Sequence, residues 1–266
     1  MHTIFKNIIK TEITNLEKVE LGLSNDHYLI NDTYFVRVPK IIKRPDYNPL
    51  NENIIESKIG EIFHPSINNL YFDEQNGIKV CNLITNFKIF DNQNICFTHI
   101  RRIAHTLKKL HNQKIENVEE FDVIKRLKLY KSFSNCTLAR EKDIIDEYLK
   151  YSKDEKVLCH NDLVPGNLLI IDHKIELIDY EYASLNDPYF DLASFISENN
   201  IKDKTIIRFF LEQYFLCPIK EEQYAKLEAF ININNLLWYY WALMMHQIDP
   251  KEIYLKIAKE KKDNIK

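Results

Sequence analysis

From Leu158 to Tyr182 the chain reads "LCHNDLVPGNLLIIDHKIELIDYEY", and this stretch limits the possible folds more than any other. Two apolar runs flank Asp172-His173-Lys174, the pattern of a β-hairpin. Ahead of it, His160, Asn161 and Asp162 share a loop with Pro165 and with Gly166, one of only 4 glycines. With the hairpin centred near His173, Asn167 and Asp179 are predicted to face each other across the two strands. Asp162, in the loop just before the first strand, is then presented at the same end. An amide oxygen and a carboxylate meeting at one spot suit Mg²⁺, which binds through one or two carboxylates and takes its other ligands from phosphate and water.

The residues around this hairpin divide the chain in two. Upstream, "DHYLIND" and "TYFVRVPK" flank an Asn31-Asp32 turn, "LNENIIESKIGEIF" has helical spacing, and "NNLYFDEQNGIKVCNLIT" gives two extended segments around Asn76-Gly77. Downstream of about residue 85, "ICFTHIRRIAHTLKKLHN" and "EKDIIDEYLKYSK" are amphipathic helices. From residue 190 onward the spacing is helical throughout, and only residues 157 to 180 break the pattern with strands. The expectation is an α+β protein of two lobes: a small β-rich one over 1–84 and a larger, mostly helical one over 85–266.

Composition narrows the function classes. With 45% hydrophobic and 28% charged residues the chain is expected to be folded throughout. A net charge of −3 gives no global reason to bind nucleic acid, and the basic tail "KIAKEKKDNIK" reads as a solvated helix end. Five scattered cysteines without CxxC spacing argue against a disulfide framework or a zinc site. The N-terminus is interrupted by charge too early for a secretory signal, and the apolar run "LLWYYWALMM" is about half the roughly 20 residues a membrane span needs. A cytoplasmic protein with no membrane insertion is expected; the sequence leaves its oligomeric state open.

The spacing Asp162-x₄-Asn167, followed by Asp179 on a later strand, is that of the protein-kinase catalytic loop, with His160-Asn161 in place of His-Arg. More specifically, "CHNDLVPGNLL", "ELIDYEY" and "DPYFDLASF" resemble the choline/ethanolamine kinases, especially the bacterial choline kinases of the LicA type, within the wider aminoglycoside phosphotransferase-like superfamily. The resemblance covers the chain from about Leu21 to its C-terminal helices. It implies a protein-kinase-like fold, ATP as co-substrate, Asp162 orienting the acceptor hydroxyl, and Mg²⁺ held by Asn167 and Asp179. In the first lobe it implies a phosphate-covering turn in "LGLSNDHYLI" with Ser24 and Asn25 near the nucleotide, although Leu21 stands where a second glycine is common. It also places Arg37 where protein kinases use a strand lysine. A helix carboxylate, Glu52 or Glu56 with Glu52 preferred, is expected to hold Arg37, and adenine is expected against "VCNLIT", with Asn82 and Ile84 as candidates.

The acceptor has its own signature. Trp238 and Trp241 lie three apart on one helix face, and an alkylated ammonium is best bound over aromatic faces. The "WYYW" pair matches one found in choline kinases, Glu198 coincides with a glutamate lining the family's choline pocket, and Tyr254 aligns as a further wall. Asp191 and His111 are expected to support the structure, and Glu181 is a candidate to assist the metal. The leading expectation is transfer of phosphate from ATP to the choline hydroxyl. The alternatives are a kinase of ethanolamine, thiamine, an amino sugar or an aminoglycoside, or a catalytically silent nucleotide-binding relative.

Overall fold

An antiparallel sheet organises the first part of the chain. Its strands β1 (Leu16–Val19), β2 (Asn25–Ile30), β3 (Tyr34–Pro39), β4 (Asn69–Phe72) and β5 (Lys79–Asn82) lie in the order β1-β2-β3-β5-β4. The computed structural model describes residues 2–40, 44–63, 69–152 and 155–266. These fall into two compact units, one of residues 1–88, 115–118 and 169–182, the other of residues 89–114, 119–168 and 183–266.

Register gives the sheet of the first unit two unlike faces. Tyr28 pairs with Val36 and Val36 with Val80, and these side chains join Ile30, Ile13 and Phe5 of helix α1 (His2–Ile9) in an apolar core. One residue along, His27 pairs with Arg37 and Arg37 with Lys79. Successive side chains alternate between faces, so these three basic residues form a row on the face opposite the core. Helix α2 (Pro49–Ile62) supplies carboxylates to that row. It starts at Asn48, whose side chain accepts from the amides of Leu50 at 3.1 Å and Asn51 at 3.4 Å, with Pro49 in the first turn.

Turn chemistry holds the hairpins of this unit. Asn31 and Asp32 both take left-handed φ, and the Asn31 side chain bonds Thr14, Asn15 and Glu12. Between β4 and β5 the chain makes a wider loop than a two-residue Asn-Gly turn, organised by the carboxylate of Asp73. Gly77 there has φ +73°, and a Cβ on it would lie 2.2 Å from the Tyr47 hydroxyl.

A two-residue strand β6 (Lys88–Ile89) precedes the helices of the second unit, α3 (Phe97–His111), α4 (Val123–Lys131) and α5 (Glu141–Tyr151). Strand β7 (Val157–Cys159) leads into the polar loop. The hairpin after that loop is β8 (Leu168–Ile171) and β9 (Lys174–Leu177), whose two-residue turn has left-handed φ at both Asp172 and His173. The turn centre therefore falls between these two residues rather than on His173. Asn167 ends a 3₁₀ turn (Pro165–Asn167) before β8, and Asp179 lies beyond β9. Neither belongs to a strand, so cross-strand pairing is not the device that positions them.

Strand β10 (Ser184–Asn186) pairs antiparallel with β7, and α6 (Pro188–Glu198), α7 (Lys204–Phe215), α8 (Glu221–Ile248) and α9 (Glu252–Asp263) complete the second unit. Helix α8, about 42 Å long at 1.5 Å per residue, packs on α4, α5, α6 and α9 and is buried nearly all round over Ile233–Met245. Among the described residues no helix is long and apolar enough to cross a membrane.

Replacing Gly77 by Ala is expected to destabilise the protein by about 2 kcal/mol, because a left-handed residue gains a Cβ and Tyr47 must move. Urea denaturation checks it, the expected result being a lower midpoint with an unchanged slope.

Candidate active site

In the first unit the row of basic side chains meets the carboxylates of α2. Arg37 forms a two-pronged pair with Glu52, Nη1 to Oε1 at 2.7 Å and Nη2 to Oε2 at 2.6 Å. Lys79 donates to Glu52 at 3.1 Å and to Glu56 at 2.7 Å. The two glutamates, one turn apart, thus serve two cations: Glu52 takes Arg37, and Glu56 takes Lys79. Tyr47 donates to Glu52 Oε2 at 2.6 Å. Burial alone would raise the Glu52 carboxyl, but Arg37 and Lys79 hold it well below the usual carboxylate range. Glu56 moves the other way, raised chiefly by burial.

Arg37 also reaches forward, its Nη1 donating to Asp179 Oδ1 at 2.9 Å. Asp179 is one-third exposed, whereas Arg37 is buried. It takes a left-handed φ of +66°, which Asp tolerates better than most residues. Glu181, two residues on, accepts from Arg44 at 3.2 Å, and Arg44 is further held by Asp46 at 2.8 Å and stacks near the rings of Tyr47 and Tyr182. Burial raises the Glu181 carboxyl despite Arg44. Ser24 and Asn25 lie where the turn at Gly22 enters β2, with Asn25 buried and donating to Ser24 Oγ at 3.2 Å. Leu21 is exposed, Asn82 is exposed at the end of β5, and Ile84 is half-buried.

In the second unit, the loop after β7 is held by α6. Both oxygens of Asp191, a fully buried carboxylate, accept backbone amides: Oδ2 from His160 at 2.8 Å and Oδ1 from Asn161 at 2.7 Å. His111 meets Oδ2 through Nε2 at 2.9 Å, and its Nδ1 lies 2.7 Å from the Tyr214 hydroxyl. Burial pushes the Tyr214 phenol far up, so the hydroxyl facing Nδ1 stays protonated. Ser194 accepts the amide of Leu163 at 3.1 Å, and Asn199 donates to the carbonyl of Leu163 at 2.9 Å. Asn161 takes a left-handed φ of +66° and accepts from Asn186. Asp162, half-buried, receives the side-chain amide of Asn167 on its carbonyl at 3.0 Å and on Oδ2 at 3.1 Å. Gly166 has neither a left-handed φ nor any atom within 4 Å of an added Cβ, and nothing in the structure explains it.

The acceptor candidates also lie in the second unit. Trp238 and Trp241 stand edge to face, centroids 5.7 Å apart at 83°, and Trp241 meets Tyr254 at 5.9 Å and 78°. Trp238 donates to Asn234 at 2.9 Å. Glu198 is ion-paired with Lys261. The C-terminal tail is therefore not wholly a solvated helix end, since Lys261 is buried.

Comparison with known proteins adds to this geometry. The choline/ethanolamine kinase family model matches residues 48–264. The chain belongs to the choline/ethanolamine kinase family. Among curated relatives it is 24% identical to the protein LicA of Haemophilus influenzae over 245 residues, 83% of this chain and 70% of that one. Among solved structures it is similar to the choline kinase LicA of Streptococcus pneumoniae, with TM-score 0.78 and 22% identity over 99% and 98% of the two chains. It is also similar to the GDP complex of an aminoglycoside 2′-phosphotransferase, with TM-score 0.70 and 15% identity over 98% and 95%. The fold is the two-lobed, protein-kinase-like one, with a small β-rich part and a mostly helical larger part. The protein is an ATP-dependent small-molecule kinase.

Sequence reasoning missed His27, Lys79, Arg44, Tyr214 and Lys261. His27 comes opposite Arg37 because the loop between β2 and β3 has three residues, 31–33, where a two-residue Asn31-Asp32 turn would have put His27 opposite Val36. The others depend on pairings between distant segments.

Replacing Glu52 by Gln leaves two buried cations short of charge and is expected to destabilise the protein by about 3–5 kcal/mol. The Glu52 pKa is depressed in the folded state, so its contribution is full above the ordinary value of 4.5 and declines as pH falls below it. The gap between wild type and variant in chemical denaturation is therefore expected to be widest above about pH 5 and to narrow on acidification. Asp191→Asn is expected to lower kcat by at least about tenfold through loss of charge-assisted bonds to the loop; an unchanged kcat in a folded variant would contradict this.

Proposed function

We propose that the enzyme transfers the γ-phosphoryl group of ATP to the hydroxyl of choline, giving phosphocholine. The observation that carries the reading is the aromatic corner of Trp238, Trp241 and Tyr254 in a member of this family. Trp238 and Tyr254 are buried and Trp241 is partly exposed, the rings standing nearly at right angles, and aromatic faces are what binds a cation that can donate no N–H bonds.

Asp162 is assigned to orient the acceptor hydroxyl. The Asn167 amide binds Asp162 Oδ2, which fixes the plane of the carboxylate before the substrate arrives. The hydroxyl oxygen forms a bond to the γ-phosphorus as the bond from that phosphorus to the bridging oxygen of ADP breaks. The hydroxyl proton passes to Asp162 late, since the transition state is loose.

Mg²⁺ is assigned to Asn167 and Asp179, each of which carries a hard oxygen donor. Asp179 is engaged by Arg37 through Oδ1, leaving Oδ2, and Asn167 has spent its amide on Asp162, leaving its own Oδ1. These are the hard oxygen ligands that ion takes, and when bound it neutralises charge on the β- and γ-phosphates. Glu181, committed to Arg44, is assigned to support rather than to a metal bond. Arg37 brings positive charge to the phosphate end and sets the carboxylate of Asp179. Ser24 and Asn25 are assigned to the turn over the phosphates, and Asn82 and Ile84 to the segment beside adenine.

Initial rates with ATP and choline, ethanolamine, thiamine or kanamycin test the acceptor. Choline is expected to give the highest kcat/KM, and turnover of kanamycin alone would end the choline reading. Asp162→Asn is expected to lower kcat by about 10²-fold or more with little change in ATP binding. An inert wild type that binds ATP normally would favour a silent relative of the kinase fold.

A further inference from the structure

Glu198, the last residue of α6, has its carboxylate occupied by the chain's own ammonium, that of Lys261 on α9. The side chains of Glu198 and Lys261 are only 11% and 8% exposed. The pair adjoins the loop that presents Asp162, because Asn199, next to Glu198, bonds the carbonyl of Leu163, next to Asp162. It also shares a helix face with the aromatic corner. Tyr254, Ala258 and Lys261 are the buried residues of α9, spaced i, i+4, i+7, and the Tyr254 ring packs on Trp241.

From this arrangement we propose that Lys261 is a specificity-determining residue. By holding Glu198, it favours a trimethylammonium alcohol over a primary amino alcohol; this rests on the amino-alcohol kinase reading above. A primary ammonium brings three N–H donors, and each donor taken out of water without an acceptor is costly. Glu198 is an ionised acceptor on the loop side of α6, and Lys261 already uses it. A trimethylammonium group has no N–H to satisfy and is stabilised by aromatic faces. The internal ion pair thus withholds from ethanolamine what choline does not require.

The experiment compares kcat/KM for choline and ethanolamine in wild type, Lys261→Met, Lys261→Arg and the double variant Glu198→Gln/Lys261→Met. Wild type is expected to prefer choline. Lys261→Met frees Glu198 and is expected to shift the ratio toward ethanolamine by about tenfold or more, the value of a charge-assisted hydrogen bond. Lys261→Arg, which keeps the pair, is expected to retain the wild-type ratio, and the double variant to lose the shift. Should Lys261→Met fail to fold, Lys261→Gln reports the same ratio. An unchanged ratio in a folded, choline-active Lys261→Met or a shift that survives in the double variant would overturn the inference alone, whereas a wild type that prefers ethanolamine would overturn the choline reading and the inference together. A wild type that phosphorylates neither amino alcohol would overturn the functional reading and the inference with it.

Discussion

The carboxylate of Asp191 is the fixed point of the larger unit. An ionised group taken wholly out of water survives only if its lone pairs are met, and here two consecutive backbone amides and a histidine meet them. The consequence runs both ways. The charge is tolerated because the loop wraps it, and the loop holds its shape, including a left-handed asparagine, because the charge is there. Helix α6 is buried on all sides from Tyr189 to Ile196, and it carries Asp191 and Ser194 on this stretch, with Asn199 just past its end. Each is within reach of one successive part of the loop.

The smaller unit solves a different problem with the same physics. Its sheet carries a row of buried basic side chains on the face away from its apolar core, and a glutamate-bearing helix pairs with two of them, Arg37 and Lys79. Replacing such a buried network by apolar residues often costs little, whereas breaking it is expensive. Its value therefore lies in orientation: the guanidinium of Arg37, clamped on Glu52, can lean on Asp179 in only one way. That single contact links the α2 helix to the first acidic residue after the β8–β9 hairpin, within one unit.

Much of this was legible before any coordinates. The short polar loop, the spacing from Asp162 to Asn167 to Asp179, and the tryptophan pair are local features, and local features survive in one dimension. The hairpin was readable as a hairpin, but its centre was misplaced by part of a residue, because a turn with two left-handed positions needs only Asp172 and His173. Pairing across distance was not legible. Glu52 was preferred over Glu56 as the partner of Arg37, and the structure agrees, but the role of Glu56 was not legible until the register of β3 with β5 brought Lys79 beside Arg37. Helix α4 went unread, its "VIKRLKLYK" being too short and charged to stand out. Lys261 looked like one more solvated lysine in a basic tail, since nothing in its neighbours along the chain announces a carboxylate arriving from α6.

Asp191, Ser194 and Glu198 share one helix, and each residue added to or removed from a helix rotates its downstream side chains by about 100°. A single insertion between Ser194 and Glu198 would keep the bonds of Asp191 and Ser194 to the loop while turning Glu198 away from Lys261 and Asn199 away from the carbonyl of Leu163. One short helical segment thus sets both the hold on the loop and the partner of Lys261, and a change in its length is felt at both.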